Sequence, residues 1–331
     1  MNKLKLITLS NKQGMVVEII NFGARIKSIL FPVKGVPTEM IVGYKNVEEY
    51  LDDEFYLGAT CGRVCNRIEE GKFTIDDKSY TLTQNDGVNC LHGGTHNLSF
   101  RYWEVEELSP SSVTLILFSH DGDQGFPGNV NFSVIYRLTE KNELQIEYFA
   151  TSDAATPINL TNHAYFSLGE KSCEALNLQI KSSIMLERKP DGLPSGNLLS
   201  VCNTDFDFQE LTSIGGRHDN ATNEALKEMG CFDHCFILNK SEMDGPSAIL
   251  VSENNEVTMK IYTDQLAVQL YTGVALSGKF QSYQGVCLEA QNYSNAVNHS
   301  HFPDSILLPK MEYKKYIVFQ FEHSNSLKAC E

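Results

Sequence analysis

Val130-Asn131-Phe132-Ser133-Val134-Ile135-Tyr136-Arg137-Leu138 is the stretch whose pattern decides the fold. Val130, Phe132, Val134, Tyr136 and Leu138 fall on one face, while Asn131, Ser133 and Arg137 fall on the other, with Ile135 the one apolar exception. Apolar and polar residues alternating with period two describe a strand with one face on a core and the other toward water. The same period runs outward in both directions, through Ser112 to Phe118 and Leu144 to Phe149, and returns in Glu256 to Tyr262, Leu266 to Tyr271, Gly285 to Gln291 and Tyr316 to Phe321. Nearer the N-terminus, Lys72 to Ile75 and Tyr80 to Thr83 read as a hairpin closed by Asp76 to Ser79. Helical patterns are few and short, the best being Asn46 to Asp53 and Thr222 to Met229. Strands that are not interleaved with helices argue against a parallel α/β sheet. The expected fold is all-β, one large antiparallel β-sandwich. No repeat, low-complexity tract or linker divides residues 1–331 into more than one domain.

The bulk composition narrows the partners. A chain of 331 residues with 42% hydrophobic and 21% charged side chains can build a sizeable core. A formal net charge of -15 argues against a nucleic-acid backbone or an anionic membrane as partner. The first ten residues contain a short apolar run broken by Lys5 and lack a small-residue cleavage site, so they read as a first strand, not a signal peptide. No stretch approaches the ~18 uninterrupted apolar residues of a membrane span. Nine cysteines, an odd number scattered through strand-like segments, fit reduced thiols in a cytoplasmic protein.

Three stretches carry candidate chemistry. Pro157-Ile158-Asn159-Leu160-Thr161-Asn162-His163-Ala164-Tyr165-Phe166 sets an imidazole among small polar groups and aromatics. His163 alone reads either as a core histidine near a strand end or as a site residue; Asn159, Thr161 and Asn162 supply groups that could orient it or a hydroxylated ligand. His92 stands directly before Gly93-Gly94, where a backbone can approach a ligand closely, while His96 beyond them reads as solvated. Glu289 shares a strand face with Cys287 and Gln291, opposite Val286, Leu288 and Ala290, and so points either to solvent or into a cleft. Gln269 and Tyr271 likewise share a face and suit hydroxyl recognition or an ordinary surface. Asn66-Arg67 offers a polar clamp of which one member can point inward, and Asp233 a hydroxyl acceptor. The run Cys231-Phe232-Asp233-His234-Cys235 suggests a metal at first sight, but structural zinc takes four ligands, usually from two knuckles, and no second knuckle answers it.

Together these motifs resemble the aldose 1-epimerases, or galactose mutarotases. The likeness runs along nearly the whole chain: Asn21-Phe22-Gly23-Ala24, Gly62-Arg63-Val64-Cys65-Asn66-Arg67-Ile68, Leu91-His92-Gly93-Gly94, Asp121-Gly122-Asp123-Gln124-Gly125-Phe126-Pro127-Gly128, the segment Asn159 to Phe166, Phe232-Asp233-His234, Gln269-Leu270-Tyr271-Thr272-Gly273 and Leu288-Glu289-Ala290-Gln291-Asn292. The resemblance implies a sugar in an open cleft across one sheet of a large β-sandwich. It implies that His163 is the general acid, Glu289 the general base and His92 an assistant at the ring oxygen. Arg67, Asp233 and Gln269 would hold sugar hydroxyls with Asn66 in support, and no cofactor or metal is implied. Val274 after Gly273, the short Gly273–Gly285 segment and Cys65 depart from the usual pattern and bear on sugar preference, not on the catalytic pair.

A carboxylate beside an imidazole is expected to favour the imidazolium, and the imidazolium an ionised carboxylate. A non-catalytic sugar-binding module on the same fold would not need both His163 and Glu289, and a glycosidase would need two carboxyl groups flanking the bond.

Overall fold

The computed structural model describes residues 3–239, 245–254 and 256–324. Three antiparallel sheets dominate it. Four consecutive strands, Leu6–Ser10, Val16–Ile20, Arg25–Val33 and Val36–Glu39, form the first. A nine-stranded sheet is ordered Glu104–Ser109, Ser112–Ser119, Val130–Leu138, Glu143–Ser152, Glu312–His323, Val257–Thr263, Ala248–Val251, Asn177–Ile180, Thr212–Ser213. A six-stranded sheet is ordered Tyr165–Phe166, Val286–Gln291, Ala267–Tyr271, Asp233–Ile237, Ile184–Arg188, Pro194–Ser200.

Alternation explains how the two larger sheets meet. Val130, Phe132, Val134, Tyr136 and Leu138 are buried, as are Leu144, Ile146 and Tyr148 of the next strand. From the six-stranded sheet, Phe236, Val268, Leu270, Val286, Leu288 and Ala290 join the same apolar cluster, which also takes in Ile19, Ile29 and Phe31 of the four-stranded sheet. Inner faces that interdigitate in one core make a sandwich. The nine-stranded sheet turns its polar face to water; the six-stranded sheet turns its polar face into the site.

Two local readings change. The hairpin partner of Lys72–Ile75 is Lys78–Thr81, two residues earlier than expected, because Asp76 and Asp77 both take positive φ (48° and 62°) and close a two-residue turn. Two central residues in the left-handed region give the turn whose twist matches that of the flanking strands. A short helix, Ile214–Asp219, capped by the Ser213 side chain, precedes the one expected over Thr222 to Met229, which runs Glu224–Met229, and Val47–Asp52 is a 3₁₀ helix. Among the described residues no helix is long and apolar enough to cross a membrane.

Candidate active site

Strand register brings the site together. Gln269 lies opposite Glu289, and Cys235 opposite Gln269, across three neighbouring strands of the six-stranded sheet. One step along, Tyr165, Cys287, Tyr271 and Asp233 form the adjacent row. Residues two apart on a strand share a face, so all seven side chains face away from the core. Tyr165 pairs with Cys287, and continuing that antiparallel register by two residues sets His163 opposite Glu289. The imidazole Nε2 lies 3.7 Å from Glu289 Oε1, and both side chains are almost wholly buried. Of the two readings open for Glu289, the cleft is correct.

The second imidazole arrives from outside the sheet. Gly93 has φ 94°, and a Cβ there would stand 2.2 Å from the Gly62 carbonyl oxygen, so this close crossing of two loops admits glycine alone. His92 just before it has φ 52°, and its ring centre lies 5.3 Å from that of His163 at an interplanar angle of 79°. The Asn66 backbone N–H donates to His92 Nδ1 at 3.2 Å. An amide N–H can only donate, so neutral His92 carries its own hydrogen on Nε2. Asn66 therefore serves the site through its backbone; its side-chain oxygen accepts the Arg67 N–H at 2.7 Å.

Asp233 is the hub of the polar wall. Its Oδ1 accepts from Gln269 Nε2 at 2.6 Å, while its Oδ2 accepts from Arg188 Nη2 at 3.2 Å and lies 3.9 Å from Arg67 Nη1. Arg67 is held in turn by Asp86, to which its Nε donates at 2.7 Å. The alternation that turns Asp233 and Cys235 outward sends His234 to the other face, where Nδ1 accepts the Asp233 N–H at 3.1 Å and the ring packs on Phe206. Period two thus scatters the Cys231–Cys235 run.

Burial governs the ionisation of the pair. It pushes the Glu289 carboxyl well above the usual carboxylate range, with Asp233 adding to the shift and Arg67 opposing it. It lowers His163 to about 4 and holds His92 well below an ordinary histidine, His163 and Arg67 adding to the latter. The expected mutual stabilisation of imidazolium and carboxylate is overturned, because the loss of hydration outweighs their attraction at this separation. Glu289 Oε2 is buried without a hydrogen-bond partner among the described residues, an acceptor available to a ligand hydroxyl.

His92, His163 and Glu289 bring ligand-capable atoms within 4.8 Å of one another. They do not fit a metal: the lone pair on His92 Nδ1 is engaged by the Asn66 amide and its Nε2 is protonated, which leaves two ligands where a catalytic zinc takes three.

The structure brings His163, Glu289, His92, Arg67, Asp233 and Gln269 together over the outer face of the six-stranded sheet. Sequence reasoning missed Arg188, which grips Asp233, and Tyr56, whose ring centre lies 4.7 Å from that of His92 and 5.9 Å from that of His163. Arg188 ends a strand 45 residues from Asp233, and no local pattern signals a partner so far away. Tyr56 has φ 58°, an unusual conformation for tyrosine that is legible only in the backbone.

Comparison with known proteins shows the family over most of the chain. The aldose 1-epimerase family model matches residues 5–320. The aldose 1-epimerase of Escherichia coli (strain K12) is 36% identical, over 96% of this chain and 95% of its own. The galactose mutarotase of Sus scrofa is 34% identical, over 92% of this chain and 90% of its own. An aldose epimerase homologue from C. elegans superposes with a TM-score of 0.92 at 30% identity, covering 98% of this chain and 100% of its own.

Proposed function

The chain belongs to the aldose 1-epimerase family, an isomerase that interconverts the α and β anomers of an aldose, and we propose that His163 and Glu289 are the acid and base of that reaction, with galactose and glucose among its substrates. The observation that carries this reading is the 3.7 Å approach of His163 Nε2 to Glu289 Oε1, with Gln269 and Asp233 on the neighbouring strands.

Ring opening needs two proton movements. Glu289 takes the proton of the C1 hydroxyl, C1 becomes a carbonyl as its bond to the ring oxygen breaks, and His163 Nε2 protonates that oxygen. C1 then rotates about C1–C2 and the steps reverse on its other face, returning both protons. Each positioned transfer is typically worth ~10²–10⁴-fold.

The two pKa shifts bear on the direction in which the protons move. A buried pair disfavours charge, so handing the protons to the neutral arrangement, Glu289 carboxyl and His163 imidazole, favours opening. His92, held neutral with its hydrogen on Nε2, is suited to donate to the ring oxygen. Arg67, Asp233 and Gln269, with Asn66 in support, bind sugar hydroxyls. The reaction needs no metal, other cofactor or covalent intermediate.

We read residues 1–331 as one domain, since a single apolar cluster draws on all three main sheets. We place the protein in the cytoplasm; eight described cysteines are free, seven of them buried, as suits a reducing compartment, while Cys330 lies outside the described residues. The protein's partner is a small sugar, as the family suggests, and the net charge of -15 argues against nucleic acid or an anionic membrane surface. Polarimetry on freshly dissolved α-galactose and α-glucose tests the function: acceleration of mutarotation is expected, and an unchanged rate would reduce the protein to a sugar binder.

A further inference from the structure

The two imidazoles of the site meet different partners at the nitrogen that faces away from the reaction. His92 Nδ1 receives a hydrogen bond from the Asn66 amide, 3.2 Å away. His163 Nδ1 instead lies 3.5 Å from Cys287 Sγ. Resting on the acid–base reading above, we propose that Cys287 is a positioning residue whose sulfur accepts the Nδ1–H of His163, holding that ring in the opposite tautomer to His92.

The reaction explains why the tautomers must differ. His163 gives up the hydrogen on Nε2 when the ring opens and takes it back when the ring closes. Both states, imidazolium and neutral, therefore keep hydrogen on Nδ1, and Nδ1 needs an acceptor throughout. Which nitrogen of a neutral imidazole is protonated follows from the hydrogen bond that the other makes. A partner donating to Nδ1, as at His92, would lock hydrogen onto Nε2 and remove the lone pair that closes the ring. His92 makes no such exchange, and a permanent donor suits it.

A thiol is a fitting acceptor because it is weak and uncharged. Cys287 is fully buried, and burial raises its pKa well above that of a free thiol, so it stays protonated and brings no thiolate charge to the imidazole. A carboxylate in its place would raise the His163 pKa and make it a poorer acid. The other groups around the ring are Glu289 on the same strand as Cys287, His92 and Tyr56 from the covering loops, and Tyr165 two residues along. Asp53, Arg25 and Asp233 act on it from further away, and its own backbone carbonyl favours its charged form. That carbonyl also accepts the Gly58 N–H at 3.0 Å; the sulfur is the side-chain acceptor beside Nδ1.

The test compares Cys287→Val, which keeps much of the volume and removes the acceptor, with Cys287→Ser, which keeps an acceptor. In ¹⁵N spectra of the intact parent protein, neutral His163 is expected to carry hydrogen on Nδ1 and His92 on Nε2. In Cys287→Val, kcat should fall roughly 3- to 10-fold, the worth of one neutral hydrogen bond, with KM unchanged. The acid limb of kcat/KM should move to lower pH, because the imidazolium has lost an acceptor. Cys287→Ser should stay near the parent in both respects. A parent His163 with hydrogen on Nε2, a Cys287→Val variant equal to the parent in kcat and acid limb, or a folded Cys287→Ser as poor as Cys287→Val overturns the proposal. Should His163→Asn itself mutarotate sugar at the parent rate, the acid–base reading fails, a result distinct from any of these.

Discussion

In the strand Val130–Leu138 the apolar face is buried and Asn131 and Arg137 on the other face reach solvent; in Val286–Gln291 all six residues are buried. Both strands alternate, and both set their apolar face on the same core. They part on the second face. One belongs to a sheet whose outer side meets water; the other lies beneath loops carrying Tyr56 and His92, with His163 and Gln269 on its flanks. Buried polar groups are costly unless paired, and a strand that keeps a glutamate there with one oxygen unpartnered among the described residues gives up stability, which fits the role we propose for it. The first strand serves the core, and the second carries the glutamate to which we assign the base.

That contrast can be broken at either strand. Phe132→Ala, in the first, should cost about 3–5 kcal/mol of stability, seen in denaturant unfolding, while activity per folded molecule stays at the parent value. Glu289→Gln, in the second, should leave the fold intact and lower kcat by ~10²-fold or more. His163→Asn should do the same, and since the two act as one unit the double variant should be little worse than the poorer single one. A Glu289→Gln protein with parent activity on every good substrate would show that the buried polar face is not the catalytic one.

The pH profile sharpens the comparison. The active pair carries one proton; a second would go to His163, which burial lowers to about 4, so kcat/KM should hold on acidification until about that pH. On the basic side the proton is lost from Glu289, whose raised pKa carries the plateau beyond the usual carboxylate range. An acid limb at ~6.5, the value of a free histidine, would mean that burial does not govern the imidazole, and one above it that the carboxylate does.

Smaller effects follow at the rim. Asp233→Ala and Arg67→Ala should raise KM roughly tenfold with kcat nearly unchanged, the loss of hydrogen bonds between charged groups and hydroxyls that are the same in ground and transition states. A large kcat loss at constant KM would move either residue into the chemistry. Smallest of all, Asn131→Ala on the solvent face of the first strand should change stability by no more than about 0.5 kcal/mol and leave activity alone.

Much was decided locally. Period two in Val130–Leu138, Leu144–Phe149 and Gly285–Gln291 is a property of consecutive residues, and it specified strands, their apolar faces and hence a sandwich. The motifs around His92, His163 and Glu289 likewise named the residues of the cleft. Alternation alone left open whether Glu289 met water or a cavity, because it says which residues share a face and nothing about what covers that face. Long-range register settled it, by setting Tyr165 beside Cys287 and Gln269 beside Glu289. The grip of Arg188 on Asp233 and the Nδ1 partners of the two histidines arise in the same way, from segments that meet only in the fold. So do the directions of the pKa shifts: the residue types argued for an ion pair, and burial, which exists only in three dimensions, made the neutral pair the stable one.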